Sequence, residues 1–504
     1  LVKPEDISEP PPLMATRVVS PKLLQNLRYF TRPLNSAAPS PITVSPINLT
    51  EKPDPTIIKP PTTTSTTLIN LGDIKELFSS VSTTKLLRSS ITLNMAAVEP
   101  MVDLGMWVMN SRVMEIPMLR EIILGSVKHT FFEHFCAGEN PEEASRTVLK
   151  LWDAGLRGML DYGLEDAPDN VSCDRNLDGI FQTVESAKSL PPSSVSFVIV
   201  KITAICPPNL LKRVSDLLRW EYKDNSFHLP WKLNTLPILS DSSPFYHTLE
   251  KPEPLTPQEE QDLHLGHQRL LKLCQKCQEA NIPLTVDAED TSVQPAIDYF
   301  TYSAAIMYNK DDNPIIFGTI QAYLKDAKER LLKTTNAAEK MGVAMGFKLV
   351  RGAYMSTERQ LASSLGVVEF PIHNTIQQTH ACYNDCASFM LDKIATTSST
   401  ALVLATHNVE SGKMAAAKAR DLGIGLENQK LHFAQLYGMA ETLSFGLRNA
   451  GFQVSKYMPF GPLEQVMPYL LRRAEENRGL LSTSTLDRQL MRKELKRRLT
   501  AAIL

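Results

Sequence analysis

Four polar residues near the carboxyl terminus recur at helical spacing and could together bind a small carboxylate. They occupy positions i, i+3, i+4 and i+7 of one helix face: Tyr469, Arg472, Arg473 and Glu476. The apolar stripe beside them can pack, so the polar face is free to point elsewhere. Two adjacent guanidinium groups can hold a carboxylate from two directions with forked donors that lysine lacks. A solvated helix with arginine–glutamate pairs would give the same pattern.

A lysine and an aspartate interrupt two apolar runs that could be neighbouring strands. Lys201 lies within Val195–Ile205, and Asp287 lies near the end of Leu284–Ala288. A buried ammonium group is costly unless it is paired, so we expect an ion pair between Lys201 and Asp287. A structural pair and a catalytic pair explain these residues equally well.

The next conspicuous polar groups follow two later apolar runs. In Gly346–Ala353, Lys348 and Arg351 bracket two apolar residues, and Gly352 follows them. A glycine allows the backbone to approach a flat ligand closely. The run Ala401–Thr406 leads into three side chains that can hydrogen-bond: Thr406, His407 and Asn408. The chain has no G-x-G-x-x-G or Walker sequence, so a Rossmann nucleotide site is not indicated.

The polar groups of the last two paragraphs lie in or directly after short apolar runs. These runs alternate along the chain with helical patterns. We count eight such runs: Gly158–Tyr162, Val195–Ile205, Leu284–Ala288, Ile315–Gln321, Gly346–Ala353, Ala401–Thr406, Leu431–Leu436 and Val454–Met458. Strands that alternate with helices predict an α/β protein with a (β/α)₈ barrel. Functional groups of such a barrel gather at the carboxyl ends of its strands, which is where the polar residues above occur.

The barrel is expected to occupy residues 152–480, with additional segments around it. Residues 69–151 read as a helical arm, and residues 222–260 read as an insertion that is rich in proline, serine and charge. Residues 481–504 read as a basic amphipathic helix. Its basic face could touch an anionic membrane surface, although a solvated face explains the same pattern.

The first 68 residues are expected to be disordered. Thirteen of the 34 prolines fall within residues 1–61, which disfavours packed structure. Between Met14 and Thr50 there are basic residues but no acidic one: Arg17, Lys22, Arg28 and Arg32. This composition is typical of an organellar transit segment.

Composition excludes several other classes of protein. A net charge of −2 over 504 residues gives no footprint for nucleic acid. No run of 18 uncharged apolar residues occurs, so a membrane-spanning helix is not expected. Seven cysteines in a chain of this length predict neither a disulfide framework nor a metal site. We expect reduced thiols on helix surfaces, including the spaced pairs Cys274/Cys277 and Cys382/Cys386.

Taken together, the motifs resemble the proline dehydrogenase family, in detail its plant mitochondrial form. The resemblance runs from Gly158 to Asn477. Six motifs occur in the family's order: Val-Asp-Ala-Glu-Asp at 286–290, Ile-Gln-Ala-Tyr at 320–323, Lys-Leu-Val-Arg-Gly-Ala-Tyr at 348–354, Ala-Thr-His-Asn at 405–408, Leu-Tyr-Gly-Met at 436–439 and Tyr-Leu-Leu-Arg-Arg-Ala-Glu-Glu at 469–476.

The resemblance implies that FAD binds non-covalently above the barrel. The residues that it places against FAD are Gln321, Val350, Gly352, Ala353, Thr406, His407 and Asn408, with Lys348 and Arg351 near it. Bacterial members carry arginine in place of Lys348 and lysine in place of Arg351. Which of the two cations approaches flavin N5 therefore stays open.

The resemblance also implies the substrate, the reaction and the partners. Arg472 and Arg473 would bind the carboxylate of L-proline, and the remaining pocket residues would be Lys201, Asp287, Tyr354, Leu436, Tyr457, Tyr469 and Glu476. Hydride transfer to flavin N5 would give 1-pyrroline-5-carboxylate. The electrons would pass to quinone during peripheral contact with the inner mitochondrial membrane, on its matrix side. The basic helix and the helical arm are both possible docking surfaces.

Three other functions are compatible with parts of the sequence. Hydroxyproline oxidation is disfavoured by Tyr457, because enzymes of that specificity have a smaller residue there. A Schiff-base aldolase could use Lys201 as its nucleophile. A non-catalytic barrel would not require every polar strand end to be filled.

Overall fold

The computed structural model describes residues 68–367, 369–425, 428–479 and 481–503. The expected transit segment lies outside these residues, apart from Leu68. None of the helices in the described ranges has the length and apolarity that crossing a membrane requires.

Eight parallel strands close into a barrel in chain order, which confirms the predicted fold. The strands are β1 (Arg157–Tyr162), β2 (Val195–Val200), β3 (Leu284–Val286), β4 (Ile316–Gln321), β5 (Met345–Val350), β6 (Thr400–Ala405), β7 (Leu431–Leu436) and β8 (Val454–Phe460). The second strand is shorter than predicted, because a 3₁₀ turn over Ile202–Ala204 follows Lys201 directly. The fifth also ends early, at Val350, and leaves Arg351 and Gly352 in the loop above the barrel.

Helices precede the barrel and connect its strands. Those before β1 are α1 (Ile74–Leu77), α2 (Thr83–Ala96), α3 (Glu99–Asn110), α4 (Pro117–Val127), α5 (Glu133–Phe135) and α6 (Pro141–Asp153). Those between strands are α7 (Asn170–Lys188), α8 (Pro208–Lys223), α9 (Pro257–Ala280), α10 (Gln294–Tyr308), α11 (Ala327–Met341), α12 (Met355–Ser364), α13 (Ile376–Thr396), α14 (Val409–Asp421) and α15 (Glu441–Asn449). Two helices follow β8: α16 (Leu463–Gly479) and α17 (Leu481–Ile503).

The core has two main layers. A small apolar cluster fills the barrel interior, and its members are Met159, Phe197, Ile199, Phe317, Ala401, Val403 and Ala434. A much larger cluster lies between the strands and the surrounding helices. Alternate residues of each strand supply the two layers, as the period of a strand requires.

The arm packs against the helix that carries the two adjacent arginines. Phe132 and Phe135, which end the arm's α4–α5 segment, share a buried cluster with Met467, Tyr469 and Leu470 of α16. The arm therefore covers Met467 and Leu470 of the apolar stripe. It also covers Tyr469, which the sequence analysis placed on the polar face, whereas Arg472 of that face pairs with Glu165.

The expected insertion at 222–260 is a connection that packs against the barrel helices. Its ends belong to α8 and α9, so the irregular part runs from 224 to 256. Leu236 is buried, and Ser243 donates a hydrogen bond to Asp326 over 2.7 Å. Residues of this connection therefore contribute to the packing around α10 and α11.

The basic carboxyl-terminal helix is attached to the arm. Glu494 is fully buried and pairs with Arg497 and Arg498, each at 2.7 Å. Arg498 also donates to the Phe78 carbonyl over 2.8 Å. These arginines are therefore engaged within the fold, which weakens the interpretation of α17 as a free basic face for a membrane.

The expectation of thiols on helix surfaces is wrong for most of the cysteines. Cys274, Cys277 and Cys386 are buried, while Cys382 is half-buried, and all seven cysteines are free thiols. Helix faces that carry them pack into the core, where a thiol behaves as a small apolar group.

Candidate active site at the carboxyl ends of the strands

Residues two positions apart in a strand point to the same face, and this alternation brings polar side chains together inside the mouth of the barrel. Asp161 lies two residues after Met159, and Lys201 lies two residues after Ile199. Because both apolar residues belong to the interior layer, both charged side chains also face inward. Three further residues join them, one from within β5, one from within β8 and one directly after β3. We call the five residues the mouth cluster: Asp161, Lys201, Asp287, Lys348 and Tyr457.

The ion pairing of the mouth cluster differs from the expected single pair. Lys201 Nζ lies 3.9 Å from Asp287, as expected, but it is closer to Asp161, at 3.4 Å. The ammonium group of Lys348 binds the other Asp287 oxygen directly. Asp161 is therefore a partner that the sequence analysis missed, and Lys348 is the nearer cation of Asp287.

Lys201 stays charged in this setting. Burial opposes its charge, but Asp161 and Asp287 outweigh burial and raise the pKa of Lys201 above its ordinary value. A Schiff-base nucleophile must be available as the neutral amine. The mouth cluster therefore argues against the aldolase alternative.

The hydroxyl of Tyr457 lies between two carboxyl groups. Its Oη atom is 2.8 Å from Asp161 Oδ2 and 2.8 Å from Asp287 Oδ2. The ammonium group of Lys348 lies 5.2 Å from the centre of the Tyr457 ring. The phenol ring is therefore anchored at one end and has a defined position over the mouth.

Arg472 reaches the mouth from α16 and pairs with Glu165 of the β1–α7 loop. Two parallel contacts join them, Nη1 to Oε1 at 2.5 Å and Nη2 to Oε2 at 3.0 Å. Burial opposes ionisation of Glu165, but Lys201 and Arg472 outweigh it and hold the pKa of Glu165 below its ordinary value. The guanidinium group is thus oriented by a charged, forked contact.

The other expected substrate residues divide into three groups. Tyr469 is buried, and Leu436 packs against the same apolar cluster. Burial and the nearby Glu289 raise the pKa of Tyr354 well above its ordinary value, so its hydroxyl stays protonated. The side chains of Arg473 and Glu476 lie outside the part of the chain that the structure describes, so their expected roles stay predictions.

Arg351 forms a second polar centre, on the β5–β6 side of the mouth. Its guanidinium group donates to His380 Nδ1 at 2.9 Å, to Thr406 Oγ1 at 2.7 Å and to Ser411 Oγ at 2.8 Å. It also lies 4.3 Å from the centre of the Tyr383 ring. Burial lowers the pKa of Arg351 and that of His380, so this cation is surrounded by neutral partners.

The amino end of α14 adds backbone donors beside Arg351. Asn408 caps this helix by accepting a hydrogen bond from the Ser411 backbone N–H at 2.9 Å. Thr406 Oγ1 accepts the Asn408 backbone N–H at 3.0 Å. His407 Nε2 accepts the Leu436 backbone N–H at 3.1 Å, which joins the ends of β6 and β7.

The remaining expected cofactor residues lie between these two centres. The amide of Gln321 donates to the Glu289 carbonyl at 2.7 Å. Gly352 has a positive φ of 136°, and a Cβ atom there would lie 2.2 Å from the Tyr323 ring, so only glycine fits. Val350 is half-buried, and Ala353 is exposed in the loop that follows.

This donor set fits an anionic cofactor. Arg351 is a half-buried cation with neutral partners, and the amino end of α14 beside it favours negative charge. A phosphate-bearing flavin would supply the missing negative charge. No group of three or more metal-ligating side chains occurs within the described ranges.

Three site residues were missed from the sequence. Asp161 could have been found, because it interrupts an apolar run two residues after Met159 and so points to the same face of the strand. Glu165 lies in a loop without periodicity, so no pattern marked it. Glu289 is buried, and the hydroxyl oxygen of Thr203 lies 3.0 and 2.9 Å from its two carboxyl oxygens. Burial, reinforced by nearby acidic groups, raises the pKa of Glu289 to about 8.

Comparison with known proteins decides the family. A family model described as "Proline dehydrogenase" matches residues 144–485. The chain belongs to the proline dehydrogenase family. This confirms the resemblance read from the motifs, and it makes the chain an oxidoreductase of a family of flavoenzymes.

Relatives of the family cover nearly the whole chain. Proline dehydrogenase 1, mitochondrial, of Arabidopsis thaliana is 54% identical over 500 residues, covering 97% of this chain and all of that protein. Proline dehydrogenase 2, mitochondrial, of the same plant is 57% identical over 435 residues, covering 86% and 91%. Hydroxyproline dehydrogenase of Homo sapiens is 32% identical over 432 residues, covering 83% and 91%.

Solved structures of the family share the fold at low sequence identity. Proline utilization A of Bdellovibrio bacteriovorus, inactivated by N-propargylglycine, matches with a TM-score of 0.57 and 20% identity. The match covers 83% of this chain and 40% of that longer chain. The corresponding protein of Bradyrhizobium japonicum gives a TM-score of 0.53 at 18% identity, covering 82% and 43%.

Proposed function

We propose that the protein oxidises L-proline to 1-pyrroline-5-carboxylate with non-covalently bound FAD. The observation that carries this proposal is the position of Arg472, whose guanidinium group is oriented by Glu165 beside the mouth cluster. It offers a carboxylate site next to an anchored tyrosine and a pair of buried lysines. When bound, FAD supplies the hydride acceptor, N5 of its isoalloxazine ring.

The cofactor residues have separate tasks in this proposal. Arg351 and the amino end of α14 hold the phosphate groups, and Gly352 allows the backbone close to the cofactor. Lys348 lies in the mouth cluster, whereas Arg351 lies toward α14, so we assign Lys348 to the region of the reacting ring. A cation there favours negative charge on that ring.

The substrate is held by charge at one end and by shape at the other. Arg472 and Arg473 bind the proline carboxylate, and each charge-assisted contact is worth about 1.5–3 kcal/mol. Leu436 and Tyr469 lie in the apolar cluster beside α16 and limit the space around the ring. Fixing the ring carbon next to the nitrogen is where the chain contributes to rate. An uncharged amine taken from solution removes the need for a side-chain base.

Tyr457 favours proline over its ring-hydroxylated analogue. The phenol ring is held by contacts with Asp161 and Asp287, so it cannot swing away to admit a hydroxyl group. Hydroxyproline oxidation is the second function to consider, because the human enzyme with that name is 32% identical. The anchored Tyr457 is the feature of this chain that stands against it.

Electrons from proline pass, in this proposal, to a membrane quinone at the matrix side of the inner mitochondrial membrane. The Arabidopsis relatives are named mitochondrial, which supports that location. The arm supplies a docking surface, because two of its helices carry large apolar side chains that are more than half exposed: Leu104, Trp107, Met118 and Ile122. The opposite side of the arm packs against α16, so docking there would place the membrane near the site.

Two experiments test these proposals. The visible spectrum of the purified holoenzyme should show bound flavin that bleaches on anaerobic addition of L-proline; a spectrum unchanged by proline would contradict the activity.

Sedimentation with cardiolipin-containing vesicles tests docking. Trp107→Ser combined with Met118→Ser should lower the bound fraction severalfold, whereas Leu249→Ser, at a comparably exposed site outside the arm, should not. Equal vesicle binding by the wild type, the double variant and the Leu249→Ser variant would contradict the assignment of the docking surface to the arm.

A further inference from the structure

The hydroxyl group of Tyr457 makes two short contacts with carboxyl oxygens but carries a single hydrogen. Oη lies 2.8 Å from Asp161 Oδ2 and 2.8 Å from Asp287 Oδ2. A phenol has one hydrogen to donate, although its oxygen can also accept. If both carboxyl groups were ionised, the two short contacts would have to share the single phenolic hydrogen. A proton on one of the two carboxyl groups gives each contact a hydrogen of its own.

The surroundings of the two carboxyl groups are unequal. Asp287 has Lys348 on Oδ1 and Lys201 at 3.9 Å from Oδ2. Asp161 has Lys201 at 3.4 Å. Burial opposes ionisation of Asp287, but Lys348 and Lys201 outweigh it and lower the pKa of that carboxyl group. Asp287 is thus the better anion of the two.

Asp161 meets the opposite balance. Burial and the neighbouring negative charge of Asp287 raise its pKa, against the pull of Lys201. Cys136, directly after α5, is a further titratable group beside it, and its thiol stays neutral because burial raises its pKa. The groups that face Asp161 from β2, β3, β8 and this segment thus include one cation, and that cation is shared with Asp287.

We propose that Asp161 is a neutral carboxylic acid in the working enzyme and that it donates its proton to Tyr457. Tyr457 then donates to Asp287, which accepts from Lys348 on its other oxygen. The two hydrogen bonds of the phenol then run in one direction, from Asp161 to Tyr457 and from Tyr457 to Asp287, so the hydroxyl group has one orientation. Asp161 is a positioning residue, and its effect on substrates rests on the proposed proline oxidation.

The proton on Asp161 also sets the charge of the mouth. Lys201 then keeps its charge through the two remaining acidic neighbours, Asp287 and Glu165. The two lysines of the mouth cluster share a single carboxylate within it, Asp287, which leaves an excess of positive charge. A mouth of this charge attracts an anionic substrate group and disfavours a cationic amine. Ionised Asp161 would cancel that excess.

Infrared spectroscopy tests the proton without any substrate. In holoenzyme labelled with ¹³C at the aspartate side-chain carboxyl carbon, the difference spectrum between wild type and Asp161→Asn at neutral pH should contain a protonated carboxyl band. Buried Asp298, whose pKa is raised to about 7, is present in both proteins, so its own carboxyl band cancels in the difference spectrum. A difference spectrum that shows only carboxylate bands would overturn the proposal, whatever the enzyme oxidises.

Kinetics of two variants give a second readout. The Asp161→Asn variant retains a hydrogen-bond donor toward Tyr457 and so mimics the protonated acid. The Asp161→Ala variant has no such donor. We expect Asp161→Ala to lower the proline/hydroxyproline ratio of kcat/KM at least tenfold, and Asp161→Asn to keep that ratio within about threefold of wild type. Equal losses in the two variants would overturn the proposal. If the Ala variant fails to fold, the infrared comparison of wild type with Asp161→Asn decides the matter.

Discussion

Arg472 and Glu165 form a forked ion pair across the mouth of the barrel, with contacts of 2.5 and 3.0 Å between their paired atoms. Glu165 uses both terminal nitrogens of the guanidinium group. The contact fixes the plane of the guanidinium group while leaving other N–H donors free for a second carboxylate. The residue that we assign to substrate binding is therefore oriented before substrate arrives.

Replacing Glu165 by glutamine should weaken proline binding. The variant keeps a hydrogen-bonding side chain but loses the charge that orients Arg472. We expect KM for proline to rise about fivefold, or about 1 kcal/mol, with kcat little changed. Steady-state kinetics measures this change, with Glu279→Gln, at an exposed position near the end of α9, as the control. A fall in KM would mean that Glu165 competes with the substrate instead of positioning Arg472.

Tyr457→Ser should admit hydroxyproline. The smaller side chain opens the space beside the ring carbon of hydroxyproline that carries the hydroxyl group. It also removes the contacts of the phenol with Asp161 and Asp287. We expect the hydroxyproline/proline ratio of kcat/KM to rise at least tenfold. The steric account fails if that ratio is the same in the variant and in the wild type.

Arg351→Met should yield protein that is poor in flavin. The substitution keeps much of the side-chain volume but removes the half-buried cation between Thr406 and Ser411. The flavin absorbance per protein should fall severalfold, and added FAD should restore it only at raised concentration. Arg420→Met, at an exposed arginine of α14, is the control and should retain flavin. Full flavin content in both variants would remove Arg351 from the cofactor site.

Glu289 should make the folded protein less stable as pH rises. Its pKa is about 8 in the fold against an ordinary 4.5, so the folded chain keeps a proton that the unfolded chain has lost. The free energy of unfolding therefore falls as pH rises from about 4.5 to about 8, by an amount on the order of a few kcal/mol. Asp298 and Glu358, whose pKa values are raised to about 7, act in the same direction.

Glu289→Gln removes one part of this dependence. We expect the Tm of the holoenzyme at pH 8 to rise by at least about 2 °C while the Tm at pH 5.5 changes little. Differential scanning fluorimetry at the two pH values measures both changes. A variant whose Tm falls equally at both values would show that the carboxyl group is not protonated in the fold.

The barrel could be predicted because each strand leaves a local signal, whereas the pairing inside its mouth could not. Lys201 was recognised because it interrupts a long apolar run, and the expected contact with Asp287 is present at 3.9 Å. Its nearer partner, Asp161, carries the same signal in a shorter run. Which aspartate meets which lysine depends on the stagger of the strands around the barrel, and this is a property of the closed sheet.

Contacts made by loops and terminal segments could not be predicted from sequence patterns. Glu165 meets Arg472 across about three hundred residues of chain, and neither the loop nor the helix shows where the other lies. Arg498 likewise binds the Phe78 carbonyl, so a helix that looks basic and free in sequence is attached to the arm. Periodicity describes the face of an element, and the partner of that face is decided only by the tertiary fold.

A crystal structure of the holoenzyme with a proline analogue that cannot be oxidised tests the central claim most directly. We expect the analogue's carboxylate within hydrogen-bond distance of both Arg472 and Arg473, with its ring between Tyr457 and the flavin. A carboxylate bound elsewhere, with either guanidinium group turned toward solvent, would contradict the account.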